Sequence, residues 1–535
     1  AWEMTHGLYL FGTGTVALGW LIAIRFLFGV GEAGAYPNIT RALHNWMPFT
    51  ERGWAQGAVW FSGRLMGGLT PLVWVVVVEW LLGSALLTSG EHGSYHVGGW
   101  PTPLGIDLRL DGLATLMLVA VNGIGLCAAM FSVAYMNRYT AKSRYYSLFL
   151  LMVAGMNGVI ITGDLFNLFV FMEIAAIASY ALVAFGCEHE ELEAAFKYGV
   201  LGSVASSCAL IGIALLYGLT GTLNMAQMAS RLALLGAPAQ GPLLLALALL
   251  LGGFALKAAL VPFHSWLPDA HPSAPAPVSA MLSGVVIKAL GLYVLCRLVF
   301  NLFGVTPERL AVLRWLGVVS MVVGVFLAIG QWDMKRLFAY HSISQIGYVA
   351  LGVGLGTPLG LVGGLFHLLN HSIFKSLLFL NAGAVEYATN TRDLKQLGGL
   401  NSSMPVTANT SLVASMSIAG IPPFNGFWSK LIIVWACVES GRYWLALAAV
   451  GVSLMTLASF LKVQKYAFFE SARQALAAVA EVPLLMRTAM LLLAVLCVVS
   501  ALFVLTGLRT PFLVEPAAAA LTGGVFRFAG GTLSP

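Results

Sequence analysis

Three lysines and one glutamate interrupt long apolar runs of this sequence. Glu173 lies in GDLFNLFVFMEIAAIASY, and Lys257 follows an unbroken apolar run. Lys288 lies in MLSGVVIKALGLYVL, and Lys430 follows a pair of prolines. A charge at the centre of a bilayer costs about 2.5–3.5 kcal/mol on insertion scales, and such residues mark ion or proton paths. We therefore predict that these four side chains take part in proton transfer.

A second group of titratable residues follows helical spacing. In LFHLLNHSIFKSLLFL, His367, His371 and Lys375 stand at positions i, i+4 and i+8, which lie on one face of a helix. We call these three residues the histidine row. Histidine changes its charge near neutral pH, so the row is suited to proton relay. His341, in AYHSISQIGY, is expected to connect to the row through water.

A metal site is the main alternative for the two histidines of the row. His367 and His371 have the spacing of the zinc ligands in HExxH, but Leu368 replaces the glutamate base and no third ligand is evident. The six cysteines are dispersed and form no CxxC pair. The sequence therefore predicts neither a metal nor a cofactor.

Structural roles also have to be weighed for single residues. One buried glutamate–lysine pair is often only a packing device, and Lys288 could simply donate to backbone carbonyls. Asp164, Asp269, His271 and Asp333 lie at predicted helix ends, where capping or a solvated loop is the expected role. The combination of several buried lysines, a glutamate and two interrupted helices favours an ion path.

The apolar runs that carry these residues predict a polytopic, all-α membrane protein. The 535 residues are 59% hydrophobic and 9% charged, whereas soluble domains carry about 25% charged residues. The runs are continuous, and each approaches the roughly 20 residues that a spanning helix needs. About fourteen spans are predicted: 7–30, 55–83, 112–136, 145–163, 164–186, 196–219, 242–262, 276–300, 311–330, 336–356, 358–388, 406–436, 442–468 and 484–506.

Proline breaks the seventh and the twelfth predicted spans. Pro262 lies in KAALVPFHSWLPDAH, and Pro422 and Pro423 lie in IAGIPPFNGFWSK. Proline interrupts a helix, and in lipid an opened backbone must be buried or line a cavity. Interrupted helices at corresponding positions of two halves indicate a transport path. We predict two inverted five-helix repeats, with the broken helices seven and twelve at equivalent places.

The distribution of basic residues predicts the orientation. Loops after odd-numbered spans hold more lysines and arginines than loops after even-numbered spans, so by the positive-inside rule they face the cytoplasm. An even number of spans then places both termini outside the cytoplasm, in a cell inner (plasma) membrane. The net charge of +6 is usual for a membrane protein, and no nucleic-acid partner is predicted.

Electrostatics suggest how the residues would act together. Glu173 pairs with Lys257 and keeps it charged. If another charge draws Glu173 away, Lys257 loses its partner and its proton moves to Lys288. The proton then passes to the histidine row and reaches Lys430 before it leaves the protein. Pairing in a low-dielectric site is strong enough to control this exchange.

Several of these motifs together resemble a known family. GDLFNLFVFMEI, KAALVPFHSWLPDAHPSAPAPVSAML, DMKRLFAYHSISQIGY, FHLLNHSIFKSLLFLNAG and IPPFNGFWSKLII look like the antiporter-like subunits of respiratory complex I, membrane-bound hydrogenases and Mrp sodium/proton antiporters. The likeness covers about residues 85–470, and YHVGGWPTPLGI is most similar to the D-type chain of Mrp antiporters.

The resemblance implies a role for each matching residue. It implies that Glu173, Lys257 and Lys288 carry protons, followed by the histidine row and then by Lys430 as the exit lysine. It also implies other membrane subunits as partners, protons as the transported ion and a lipid bilayer as the surroundings. Sodium transport, and a place in a redox-driven quinone oxidoreductase or hydrogenase complex instead of an antiporter, stay open alternatives.

The beginning of the chain resembles a different family. Residues 1–72 contain RFLFGVGEAGAYPN and ERGWAQG, which look like two helices of major facilitator organic-anion symporters. We predict three parts: this fragment, an antiporter-like domain at 73–470, and a last helix with a flexible tail at 471–535. An organic-anion symporter is thus an alternative of another class. A redox enzyme is not favoured, because no dinucleotide fingerprint or haem pair is visible; any such activity would belong to the complex.

Overall fold

The computed structural model describes residues 93–234, 240–471, 479–504 and 513–523. The predicted spans 7–30 and 55–83, and with them the facilitator-like fragment, lie outside the described residues. The division of the chain into three parts therefore stays a prediction.

The described residues form helices, apart from one small hairpin, which confirms the predicted all-α class. In chain order the elements are β1 (Gly93–His96), β2 (Asp107–Leu110), α1 (Gly112–Tyr135), α2 (Lys142–Ile161), α3 (Leu165–Val183), α4 (His189–Thr220), α5 (Met225–Leu232), α6 (Gln240–Lys257), α7 (Leu267–Ser273), α8 (Ala276–Leu302), α9 (Pro307–Ile329), α10 (Met334–Gly354), α11 (Pro358–Thr389), α12 (Leu400–Ser403), α13 (Pro405–Ala419), α14 (Asn425–Glu439), α15 (Tyr443–Phe469), α16 (Leu484–Val499) and α17 (Val514–Thr522). The antiparallel strands β1 and β2 pair Gly93 with Leu110 and His96 with Asp107.

Every predicted span from residue 112 onward coincides with a helix or a broken helix. Among the described residues, nine helices are long and apolar enough to cross a membrane. The helices α10 and α11 are also long but carry many buried polar side chains, and α13 and α14 have only 15 residues each. Polar relay residues and a break thus account for the spans that hydropathy alone does not detect.

Both predicted breaks are present. The seventh span divides into α6 and α7 around Pro262, and the twelfth divides into α13 and α14 around Pro422 and Pro423. In each half, the fourth of five spans is the broken one. Because five is an odd number, the second repeat starts from the opposite side of the membrane, which is the predicted inverted arrangement.

Protein groups satisfy backbone groups that the first break opens. The amide of Val261 donates to Ser320 Oγ (2.9 Å), and the indole of Trp266 donates to the carbonyl of Leu256 (3.0 Å). This is the condition under which irregular backbone is tolerated at membrane depth. The opened backbone is therefore accommodated by hydrogen bonds within the protein.

The helix α8 is buried along most of its length, and only Arg297 and Asn301 near its end reach the surface. It contains three π-helical turns, at Leu282–Val286, Lys288–Leu292 and Arg297–Leu302. A π turn inserts one extra residue and displaces backbone carbonyls from the regular ladder, often at functional sites.

Two of the predicted helix-end aspartates are N-caps. Asp164 accepts a hydrogen bond from the amide of Asn167 (2.7 Å) at the start of α3, and Asp333 accepts one from Arg336 (2.8 Å) at the start of α10. Asp269 is partly exposed and forms an ion pair with Lys197 at 3.2 Å. These positions agree with the expected capping and surface roles.

His271 does not lie in a solvated loop, and this prediction is wrong. The short helix α7 returns into the bundle after the break, so His271 is completely buried, with its ring centroid 4.6 Å from that of Phe379. The segment predicted as a loose tail also contains a helix, α17. Its small side chains let it pack closely against α1, where a Cβ on Gly112 would clash with the backbone of Pro516.

The contact between α9 and α10 depends on glycine. A Cβ added to Gly347 would lie 2.5 Å from the carbonyl oxygen of Gly317 and equally close to the amide of Met321. Small residues allow membrane helices to approach closely. The relay helix α10 is thereby held against α9 by direct backbone contact.

Replacing Gly347 by alanine tests this contact. Overpacking costs about 1–3 kcal/mol, so we expect a lower unfolding temperature for the purified protein in detergent. The matched control is Gly451→Ala in α15, where a Cβ would meet nothing within 4 Å. Equal unfolding temperatures for the two variants would contradict the close packing of α9 and α10.

Candidate ion-transfer site

The first predicted pair, Glu173 on α3 and Lys257 at the end of α6, is present. Lys257 Nζ lies 3.6 Å from Glu173 Oε1, and the side chains of Lys257 and Glu173 are 4% and 28% exposed, respectively. Lys257 also donates to the hydroxyl of Tyr180 (3.3 Å), and Glu173 accepts a hydrogen bond from Ser206. The break ends α6 at Lys257, where the helix dipole favours a positive charge. The distance between Lys257 Nζ and Glu173 Oε1 exceeds that of a charge-assisted hydrogen bond, so the two groups are close without being directly hydrogen-bonded.

Two residues of this pair's surroundings were not predicted. Tyr180 lies seven residues after Glu173 in α3, which is two helical turns on the same face, so the spacing could have revealed it. Ser206 comes from α4, and no local signal links it to Glu173. The ring of Tyr180 contacts that of Tyr198 (4.4 Å between centroids), which stacks on Trp266 at 4.2 Å. This aromatic stack covers the pair on the side of the break.

Lys288 is fully buried among the π turns of α8. Its Nζ donates to the carbonyls of Ser283 (2.7 Å) and Gly284 (2.5 Å), as the structural alternative for this residue predicts. Ser283 also hydrogen-bonds to Ser342 of α10 through their hydroxyls (2.6 Å). Lys288 is thus solvated by backbone, and its neighbour Ser283 connects α8 to α10.

The backbone of α8 lies against the break that follows Lys257. A Cβ on Gly291, three residues after Lys288, would lie 2.5 Å from the backbone of Ala258. Among the described residues, no hydrogen bond joins Lys257 to Lys288 directly. The two lysines are therefore on adjacent segments, and transfer between them needs water or side-chain movement.

The histidine row lies on one buried face of α11, as its spacing predicts. The rings of His367 and His371 are 6.3 Å apart and nearly parallel. His367 contacts Ser429 Oγ through Nδ1 (2.9 Å) and Gln345 Oε1 through Nε2 (3.2 Å). Lys375 donates to the carbonyl of Phe338.

Two histidines of the predicted relay, like the buried His271, have ring nitrogens with no hydrogen-bond partner among the described residues. These are His371 and His341, whose ring lies 4.8 Å from that of Phe460. Buried polar atoms in folded proteins are usually hydrogen-bonded to protein or to ordered water. We therefore expect water to connect these imidazoles to their neighbours.

Lys430 lies beside the second break. It donates to the carbonyl of Ile418 (2.7 Å) and to Ser453 Oγ (3.0 Å). Its Nζ is 4.8 Å from the ring centroid of Tyr348, and that ring is 5.5 Å from the ring of His367. Tyr348 thus links the histidine row to Lys430.

The zinc alternative finds no ligand set. Across the part of the chain that the structure describes, no group of three histidine, cysteine, aspartate or glutamate residues is arranged to hold a metal. Both nitrogens of His367 contact other side chains.

Family models match most of the domain that contains these residues. The model described as "NADH:quinone oxidoreductase/Mrp antiporter, TM" matches residues 162–456, which is more than half of the chain. The chain belongs to this family. A second model, "NADH-Ubiquinone oxidoreductase (complex I), chain 5 N-terminus", matches residues 100–146.

Relatives from both branches of the antiporter-like family are similar to this chain. The N-type chain of the NADH-quinone oxidoreductase of Desulforudis audaxviator is 39% identical over 72% of this chain and 78% of its own length. The D-type chain of the Na(+)/H(+) antiporter of Alkalihalophilus pseudofirmus is 37% identical over 70% of this chain and 75% of its own. A chain in the structure of the Mrp complex from Dietzia sp. is similar with a TM-score of 0.77 and 32% identity, covering 88% of this chain and 94% of that one.

The comparisons confirm the predicted antiporter-like family and the polytopic membrane fold. They also confirm the general function that the buried charges predict, ion translocation by a membrane subunit of a multisubunit complex. The two branches match at nearly equal identity, so the identities alone do not assign the chain to one of them. The roles of individual residues stay predictions.

Replacing Ser206 by alanine tests how Glu173 is held. A hydrogen bond to a charged group contributes about 1.5–3 kcal/mol, so we expect at least tenfold slower proton movement. The rate is measured with a pH-sensitive dye in inverted membrane vesicles that contain the assembled complex. The control is Ser203→Ala, because Ser203 on the same helix is exposed and donates only to its own helix, at Gly199. An unchanged rate in Ser206→Ala would remove this hydroxyl from the site.

Proposed function

We propose that this chain translocates protons through its row of buried nitrogen bases, as an antiporter-like subunit of a larger membrane complex. One observation supports this most strongly. Among the described residues, no carboxylate forms an ion pair with Lys288, Lys375 or Lys430. A buried ammonium without a counter-ion is costly, so a lysine in this position releases a proton readily.

In this proposal, the pair of Glu173 and Lys257 controls when a proton is released to the other buried lysines. Lys257 is the one relay lysine with a carboxylate partner among the described residues, at 3.6 Å. When Glu173 turns toward another charge, Lys257 becomes as unfavourable as the other lysines and passes its proton to Lys288. From there the proton reaches the histidine row through Ser283 and then through Ser342, Ser344 and His341 of α10, with water between them. It arrives at Lys430 next to Tyr348.

The outer face of α3 supports a neighbouring membrane protein as the source of that charge. Phe166, Val170 and Ile177 are exposed and lie on the same helical stripe as Glu173. A carboxylate facing lipid is costly, so we propose that another protein covers this stripe. A basic residue of that protein would attract Glu173 and would thereby couple proton transfer in the two chains.

The chemistry of the whole relay, from Lys257 to Lys430, supports protons as the transported ion. Its acceptors are lysine and histidine nitrogens, whereas hard metal cations are bound by oxygen. Sodium exchange, if the complex performs it, would need a separate route. A driving redox reaction would likewise belong to other subunits, in an NADH-quinone oxidoreductase or hydrogenase complex.

The orientation is proposed from the basic residues of the described loops and helix ends. Arg138, Lys142, Lys335, Arg392 and Lys465 lie at the same membrane side by the order of the helices. The positive-inside rule makes this side cytoplasmic in a plasma membrane. The predicted outside location of both termini concerns residues that are not described.

The alternative of organic-anion symport depends on residues 1–72 and stays a prediction. Uptake of a labelled organic anion by vesicles that contain this chain would support it.

Two substitutions test the switch and the row together. We expect Glu173→Gln and Lys257→Ala to lower proton flux at least tenfold, because each removes one member of the pair that controls release. Flux is followed with a pH-sensitive dye in inverted vesicles after assembly of the complex has been verified. The control is Lys142→Ala, because Lys142 is exposed and contacts Asn137 at a helix end. Flux that survives both substitutions would remove the proposal.

A further inference from the structure

Lys375 differs from the other relay lysines in the groups that surround its amine. It is fully buried, and among the described residues no carboxylate pairs with it. Its amine has three donors when charged, yet its one hydrogen bond to the described residues goes to the carbonyl of Phe338. Each of the other relay lysines, Lys257, Lys288 and Lys430, has two polar partners. Polar contacts therefore offset less of the cost of a charge at Lys375 than at the other three.

Two aromatic rings lie beside this amine. The Nζ of Lys375 is 5.6 Å from the ring centroid of Phe338 on α10 and 5.5 Å from that of Phe379 on α11. The two rings are nearly perpendicular, with centroids 5.9 Å apart, and we call them the aromatic corner. The face of an aromatic ring carries partial negative charge and attracts a cation within about 6 Å of its centroid. The aromatic corner thus lies where it can lower the cost of an ammonium on Lys375.

Other rings hold the aromatic corner in position. Phe338 stacks on Phe460 of α15 with the centroids 5.6 Å apart, and Phe379 contacts the ring of His271 at 4.6 Å. Phe338 and Phe379 are both fully buried. The rings therefore surround the amine before a proton arrives, and no rearrangement is needed to bring them there.

Core packing is the simpler explanation of two buried phenylalanines, since aromatic side chains fill many protein interiors. A comparison of two lysines points beyond that role. Lys288 has two carbonyl partners, and among the described residues no aromatic ring lies over its amine. Lys375 has one carbonyl partner and two rings. Aromatic faces thus stand at the lysine that has the fewest hydrogen bonds.

We propose that the aromatic corner takes the place of a counter-ion for Lys375 and lets this lysine hold the transferred proton; this rests on the proposed function. Lys375 becomes an ammonium when the proton arrives from Lys288, and it returns to the neutral amine when the proton moves on to the histidines of the row. A ring attracts an ammonium less strongly than a buried carboxylate does, so the proton is held without being fixed. Phe338 and Phe379 are positioning residues, because they neither accept nor donate a proton.

The titratable groups that act on Lys375 from the surrounding helices are all bases. Lys288 of α8, His271 of α7, His341 of α10 and His371 of α11 interact with it electrostatically. A positive charge on any of them disfavours a second one on Lys375. None of these groups can therefore replace the rings as a source of negative charge, and the contribution of the rings can be read from the pH dependence of the flux.

Fluorination of Phe379 tests the proposal without removing the ring. Fluorine withdraws electron density from the ring face and changes the shape of the side chain little. Mono- and trifluorinated phenylalanine are introduced at this position by stop-codon suppression, and proton uptake is measured against pH in inverted vesicles that contain the assembled complex. We expect the trifluorinated ring to lower the rate at neutral pH about tenfold, and the monofluorinated ring to have a smaller effect. Because the ammonium form is disfavoured, the half-maximal rate should move to lower pH by about one unit, which corresponds to a tenfold change.

The control is the same pair of substitutions at Phe131 on α1. This ring is also fully buried and contacts an aromatic neighbour, Tyr135, at 5.7 Å. Among the described residues no lysine or arginine lies over it. We expect rates within twofold of the wild type and an unchanged pH profile.

Equal effects at Phe379 and Phe131, or an unchanged pH profile in the trifluorinated Phe379 protein, would show that the ring only packs the core. The parallel variant Lys257→Ala separates this outcome from failure of the proposed function. If Lys257→Ala stops the flux and fluorination of Phe379 does not change it, the role of the aromatic corner alone is disproved. If Lys257→Ala leaves the flux intact, the relay itself is disproved.

Discussion

The cost of a positive charge in a low-dielectric interior is the constraint on which this structure depends. Irregular backbone meets part of that cost. The carbonyls that bind Lys288 belong to a π turn, and the carbonyl that binds Lys430 lies at the end of the interrupted helix α13. In a regular helix these oxygens would be used in the hydrogen-bond ladder. The breaks and π turns therefore place partial negative charge beside the lysines without adding a carboxylate that would fix their protons.

The elements of the fold could be predicted from the sequence because their signals are local. Apolar runs give the spans, prolines give the two breaks, and the spacing of His367, His371 and Lys375 gives a common helix face. Partners contributed by other helices could not be predicted in this way. Ser206 contacts Glu173 across 33 residues, and Ser429 contacts His367 across 62 residues, and no local pattern encodes either contact.

Two errors of prediction have the same physical origin. His271 follows a proline break and resembles a loop residue in sequence, yet α7 turns back into the bundle and buries it. The alanine-rich segment of α17 lacks helical punctuation in the sequence, yet its small side chains fit closely against α1. In both cases packing against a distant helix decides the environment, and propensity along the chain gives no information about it.

The glycine contact between α9 and α10 limits how the protein can move. With Gly317 and Gly347 in backbone contact, neither helix can approach the other further, and the main chain of Met321 also lies close to Gly347. We therefore expect α9 and α10 to move together, and His341 and Ser342 of α10 to move with them. This contact favours side-chain torsions and bound water, rather than movement of α10 relative to α9, as the way in which protons advance along this face. A rigid arrangement of this kind lets protons move in short steps while the packed helices keep the two sides of the membrane separate.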